Sequence, residues 1–302
     1  MKIGIIISLV LVLVVGGIVF LALNTPPDGP SSKTNKGQLE LQALPTDLPE
    51  LVPAPNDGPG GAKATYEKLI AYYQQNAHQL DGRTPPKRML TSLTNMLTQA
   101  ADESYEGTGF LDDEISVVPG SNPSFGAALE VIPVIALNHA LEADNISNTR
   151  KVAYAVWNMG RRAYEKGTHL YVRRQGLNMM QLAGSALYQA NQDDKEATAA
   201  LQKWSEAISN IVNNWDGKIQ IIQSVKQPIG DLLNIAENDK DLSFRIAATS
   251  WLGVAKFNPR SRGNEKGIAR LIESSKSNDE PMIVKAAEAA DAFTREDLRK
   301  LH

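Results

Sequence analysis

Apolar positions along this chain fall into three regimes. From Ile3 to Leu23 they are continuous: 21 uncharged residues, sixteen of them Ile, Leu, Val or Phe. As a helix that run would be roughly 31 Å long, matching a bilayer hydrocarbon core of ~30 Å, so the pattern predicts a transmembrane helix. Residues 24–60 lose all periodicity. From residue 61 onward apolar residues return at i, i+3, i+4 and i+7, the spacing of helices with one buried face.

The leading run reads as an uncleaved anchor. A signal peptide has an apolar region of about 7–15 residues that ends in a small-x-small cleavage site. Here the run is longer and exits through Phe20-Leu21-Ala22-Leu23-Asn24, which offers no such site. With no Cys in the chain, a lipid-modified cysteine after cleavage is excluded. Lys2 sits on the short side, and the other flank has no Lys or Arg until Lys33 and Lys36. Cations close to the membrane favour the cytoplasm, so the expected topology is single-pass, amino terminus cytoplasmic, bulk outside. Gly4 and Ser8 form a small-xxx-small pair that would let two anchors pack, a pattern also common by chance.

Residues 24–60 hold eight of the sixteen prolines and four glycines, and proline removes donors and fixes φ, so no regular element is expected there. The segment Leu39 to Val52 carries Leu41, Leu44, Leu48 and Leu51, which are positioned to strap the tether's end onto the folded domain.

The helical part reads as follows. Thr65 to Leu80 is a first helix, stopped by Gly82 and Pro85-Pro86; Lys87 to Ala101 is a second. Residues 102–123 break the rhythm, with Glu114 to Val118 a short extended piece. Ser124 caps a third helix running to about Ala143. Val131, Ile132, Val134, Ile135 and Leu137 make that helix apolar on most sides, so it is expected at the buried centre, with a kink at Pro133. Glu130 and His139 make it a poor membrane span. Thr149 to Lys166 and His169 to Ala190 are joined through Gly167, a connection short enough to make them antiparallel neighbours. Asp193 to Asn213 follows, with Leu201, Trp204, Ile208, Ile211 and Val212 on one side.

The segment after Gln227 repeats itself. Ile229, Leu232 and Leu233 return as Ile268, Leu271 and Ile272, 39 positions on; Asn238-Asp239 returns as Asn278-Asp279, and Arg245 and Ala247 as Lys285 and Ala287, 40 positions on. Each unit is a helix, an Asn-Asp turn and a second helix with an early cation and inward alanines. Over residues 228–294 this resembles HEAT-type helical repeats, whose period is about 40–47 residues. The family's turn Asp and second-helix Arg are similar to Asp239 with Arg245 and Asp279 with Lys285. Trp251 has no counterpart, because position 291 is Asp, so the second unit looks like a polar end cap. The resemblance implies a stack of helix pairs that acts as a binding scaffold and names no partner.

Charge narrows the chemistry. A net −3 argues against a general nucleic-acid binder, and zero Cys removes disulfides, thiolate nucleophiles and thiolate metal sites. Residues 89–149 hold nine carboxylates and no Lys or Arg; residues 150–174 hold seven cations and only Glu165. Either the two blocks face and neutralise each other, or the basic block meets an anionic partner such as a cell-wall polymer, lipid headgroups or an acidic protein. On the second reading Arg161, Arg162, Arg173 and Arg174 are the candidate binding residues.

Other candidates are thinner. His139 and Glu142 share a helix face, but a metal centre in a bundle needs several such groups to converge, and Glu130 lies two and a half turns away. Asp102 to Gly107 has oxygen ligands at alternate positions like a calcium loop, yet Gly109 stands where an apolar residue belongs and Asp113 where a bidentate Glu belongs. Gly107-Thr108-Gly109 lacks the third glycine of a phosphate turn. No HExxH, GxSxG, Ser-x-x-Lys or GxxxxGK is present, so no catalytic residue, metal or cofactor is assigned.

The expected fold is all-α: a transmembrane anchor (1–23), a Pro/Gly-rich linker (24–60), a helical domain (61–227) and a HEAT-like region (228–302), built as stacked antiparallel helix pairs. The expected function is a membrane-anchored extracytoplasmic scaffold, held in lipid through residues 3–23 and binding a protein or anionic envelope partner. The alternatives are an envelope enzyme using carboxylates around Glu130 with His139, and an apolar-ligand carrier built on the third helix. The sequence assigns no oligomeric state.

Overall fold

The computed structural model describes residues 60–82, 84–106, 109–111, 119, 125–143, 145–223 and 229–301. The expected anchor, nearly all of the linker, the piece Glu114 to Val118 and the cap at Ser124 lie outside the described residues. Among the described residues no helix is long and apolar enough to cross a membrane.

Helices make up the fold: α1 (Ala62–Leu80), α2 (Lys87–Asp102), α3 (Gly126–Glu142), α4 (Ile146–Lys166), α5 (Leu170–Ala190), α6 (Lys195–Gln223), α7 (Ile229–Asn238), α8 (Leu242–Ala255), α9 (Glu265–Ser275), α10 (Pro281–Ala292) and α11 (Arg295–Lys300). A 3₁₀ turn, Pro259–Ser261, joins α8 to α9. No strand occurs among the described residues; an isolated bridge pairs Gly60 with Ser104.

The centre of the bundle is α4. Every residue from Val152 to Gly160 is buried, because α2, α3 and α5 all pack on it. This corrects the expectation that α3 is the buried centre. α3 buries Ala128, Leu129, Ile132, Ala136, Leu137 and Ala140 and keeps Val131, Val134 and Ile135 half-exposed. Apolar content fails as a guide here because α4 hides its polar groups by bonding them to neighbouring backbone, so it can be buried without being uniformly apolar.

α4 and α5 form the closest pair in the structure. A Cβ on Gly160 would meet the Gly176 carbonyl at 2.7 Å, and one on Gly176 would meet the Gly160 carbonyl at 2.5 Å. Only two glycines allow backbones so near. The partners run antiparallel, since Arg150 at the start of α4 donates to Asn191 just past α5, while Gly167 abuts Val172.

α6 runs ten residues beyond the expected Asn213. Trp215, Lys218 and Ile222 continue its buried stripe, and Gly217 faces open space, where its cost is only the helix propensity of ~1 kcal/mol.

The C-terminal pairs α7–α8 and α9–α10 stack with α8 beside α10. Ile246 clusters with Ile283 and Ala286, and a Cβ on Gly253 would meet Ala290 and the Cβ of Phe293. Contacts offset by 37 and 40 residues at both ends mean that α8 and α10 run parallel, one repeat apart. The two turns match locally: Asp239 accepts from the Asp241 N–H at 2.9 Å, and Asn278 accepts from the Glu280 N–H at 3.0 Å.

Candidate functional site

The four candidate arginines leave the α4–α5 hairpin in different directions. Arg162 turns inward and is 5 % exposed. Its guanidinium donates to the Ala100 carbonyl at 2.7 Å and the Glu103 carbonyl at 2.5 Å, the orphan acceptors at the end of α2. It also faces the rings of Tyr66 and Tyr105 at 5.9 Å each. One turn earlier, Asn158 donates to the Ala101 carbonyl at 2.9 Å. Together the two side chains splice α2 to the centre of the bundle. Burial pushes the Tyr66 phenol up to about 12, against the opposing pull of the Arg162 charge.

Arg173 reaches the C-terminal pairs. It meets both oxygens of Asp241 at 2.6 and 2.7 Å, Ser243 Oγ at 2.8 Å and, through Nε, the Tyr164 carbonyl at 2.8 Å. Its guanidinium lies 4.9 Å from both the Tyr164 and Trp215 rings. Beside it Lys218 pairs with Asp239 at 2.8 Å and sits 4.7 Å over Phe244. The two cations from α5 and α6 therefore grip the Asp239–Asp241 turn through two ion pairs set among aromatic faces. Asp241 is also the N-cap of α8, accepting from the Ser243 N–H at 2.9 Å. Burial raises the Tyr164 phenol in this node.

Arg174 points to α6, where it clamps Asp216 through Nε at 2.8 Å and Nη2 at 3.0 Å, and also donates to Asn178. A polar chain continues from there: Asn178 donates to Gln175 at 2.9 Å, and Gln175 donates to Glu130 at 3.0 Å. Tyr171 Oη donates to the same Glu130 oxygen, so the belt crosses three helices. Burial and the Glu130 carboxylate both push the Tyr171 phenol upward.

Arg161 is the outward member. It lies 5.5 Å over the Trp157 ring and pairs loosely with Glu165 at 3.5 Å, and its Nε has no hydrogen-bond partner.

The four arginines thus share a hairpin and form no common patch. Among the described residues no ion pair joins the acidic block to the basic one; Arg173, Arg174 and Lys218 take carboxylates further along the chain instead. The turn residues Asp239 and Asp241, and Lys218 in the unexpected extension of α6, are the partners that sequence reasoning missed. The repeated Asn-Asp turn was their one visible trace. Glu130 and His139 are nine positions apart on α3, which sets them on opposite sides of the helix, so they do not converge. Among the described residues no three His, Cys, Asp or Glu side chains gather where a metal ion could be held. Comparison with protein-family models, with curated proteins and with solved structures gives no match.

Proposed function

We propose that this chain is an interaction scaffold: a helical array carried on a tether and held at a membrane by residues 3–23, outside the cytoplasm. The observation that carries the reading is the continuity of the array. The helix pairs α7–α8 and α9–α10 stack on one another, and the Arg173–Asp241 and Lys218–Asp239 links join the first pair to the bundle. Such an array offers a long surface on which a partner can lie. The partner class is a protein or an anionic envelope polymer. Arg161 is the arginine of the basic block whose substitution tests this, because Arg162, Arg173 and Arg174 hold helices together. The experiment is capture from solubilised membranes with the full chain, compared with Arg161→Glu, at low and raised salt. Capture that weakens with both salt and the charge reversal supports the reading. Capture of no component above a bead control refutes it.

A further inference from the structure

Residues 256–270, which leave α8 and enter α9, carry five cations, Lys256, Arg260, Arg262, Lys266 and Arg270, against one carboxylate, Glu265. The whole chain has a net charge of −3, so this stretch departs from its surroundings. Arg262, Lys266 and Arg270 are exposed and make no ion pair among the described residues, unlike Arg173, Arg174 and Lys218. The nearby carboxylates are engaged. Glu265 turns back to accept the Gly263 N–H at 2.7 Å, and Glu273 pairs with Lys276 at 3.1 Å.

The support beneath these cations is ordered. Asn258 accepts the Arg260 N–H at 3.0 Å, and the buried Ser261 hydroxyl donates to the Ala255 carbonyl at 2.6 Å. α9 buries Ile268, Leu271, Ile272 and Ser275, which turns Lys266 and Arg270 to the opposite, outer face. Those two stand one turn apart, about 6 Å along the axis, and Arg262 precedes Lys266 by the same four residues. A file of cations at that spacing suits a linear chain with one anionic group in each repeat. It does not suit a lipid surface, where cations act beside apolar side chains that enter the acyl boundary. The large exposed hydrophobics among the described residues are Ile146 and Tyr188, on α4 and α5 instead.

We infer, on the scaffold reading above, that Arg262, Lys266 and Arg270 bind a linear polyanion with a phosphodiester in each repeat. The test uses the full chain in phosphatidylcholine nanodiscs and labelled poly(glycerol phosphate) as the probe, with binding read by fluorescence anisotropy at low and raised salt. Each cation is expected to contribute about fivefold, so Arg262→Gln, Lys266→Gln and Arg270→Gln together weaken binding roughly a hundredfold and flatten its salt dependence. Lys68→Gln, Lys195→Gln and Lys203→Gln, at exposed positions of α1 and α6, change the net charge equally and cost about threefold or less. Both triple variants keep the wild-type melting curve, because every altered side chain is exposed. Three results overturn the inference: no binding of the polymer to the wild-type chain at low salt, equal losses in the two triple variants, or phosphatidylglycerol vesicles or single-stranded DNA binding through the same three cations more tightly than the polymer. Capture from solubilised membranes is scored separately, so a chain that fails here and still captures a partner leaves the scaffold reading in place.

Discussion

Substituting Asp241 tests whether the C-terminal helix pairs are held by a desolvated ion pair. Asp241 and Arg173 have side chains only 7 % and 15 % exposed. Removing one partner of such a pair costs about 3–5 kcal/mol, because the other charge is left in a poor solvent. Arg173 keeps the Tyr164 carbonyl, Ser243 Oγ and two ring faces, so ~3 kcal/mol is expected for this part. Asp241→Ala also removes the cap on α8, worth ~1 kcal/mol, for a total of about 4. Asp241→Asn retains one oxygen, the atom that serves both Ser243 and Arg173, and is expected to cost about 2 kcal/mol. In a domain of this size each kcal/mol moves the melting temperature by ~2–4 °C, so the alanine variant should melt about 10 °C lower. Thermal melting by circular dichroism gives the size, and hydrogen exchange gives the location: protection should fall first in α7–α10 and persist in α4–α5. An alanine variant no worse than asparagine, or a loss centred on α4–α5, would refute this account of the junction.

Other expectations follow from the same geometry. Gly176→Ala forces a methyl group against the Gly160 carbonyl and the Tyr164 amide, and should cost ~2–3 kcal/mol in denaturant unfolding, whereas Gly217→Ala, in open space, should be neutral or stabilising. Arg162→Lys keeps the charge but cannot span the Ala100 and Glu103 carbonyls, so it should lose most of the ~2–4 kcal/mol that Arg162→Met loses; equal stability of Lys and wild type would show that charge alone matters. The Tyr66 phenol titrates at about 12 when folded and 10.0 when free, so the unfolded chain loses its proton first. Stability is therefore full below pH 10 and declines as pH rises toward 12, and urea unfolding at ~9 and ~11 should show a drop that Tyr66→Phe reduces.

Helices whose buried stripe is interrupted by clear breakers were legible. Gly82 with Pro85-Pro86, and Gly167, bound α1, α2, α4 and α5 within a few residues of their observed ends. The repeat offset of 39–40 residues is visible in the chain because turn, stripe and alanines recur together. Two things were not legible, for related reasons. The apolar stripe read as far as Val212 ends the helix at Asn213, whereas Trp215, Lys218 and Ile222 carry the buried face of α6 on to Gln223. The arginines were grouped by nearness in sequence, yet neighbouring helix positions point about 100° apart, so Arg161 and Arg162, or Arg173 and Arg174, serve different surfaces. Their partners lie 42 to 68 residues downstream for Arg174 and Arg173, and local charge balance cannot reveal pairs made by tertiary packing.

The pinning of Gly60–Ala62 decides how the molecule bears mechanical load. Gly60 bridges Ser104, the Ala62 amide binds the Ser104 carbonyl, and Thr65 holds the Glu103 side chain at 2.6 Å. Arg162 grips the Glu103 carbonyl from the other side. A pull on the leading segment is thus passed to the end of α2 and, through Arg162, to the innermost helix, so α1 does not carry it alone.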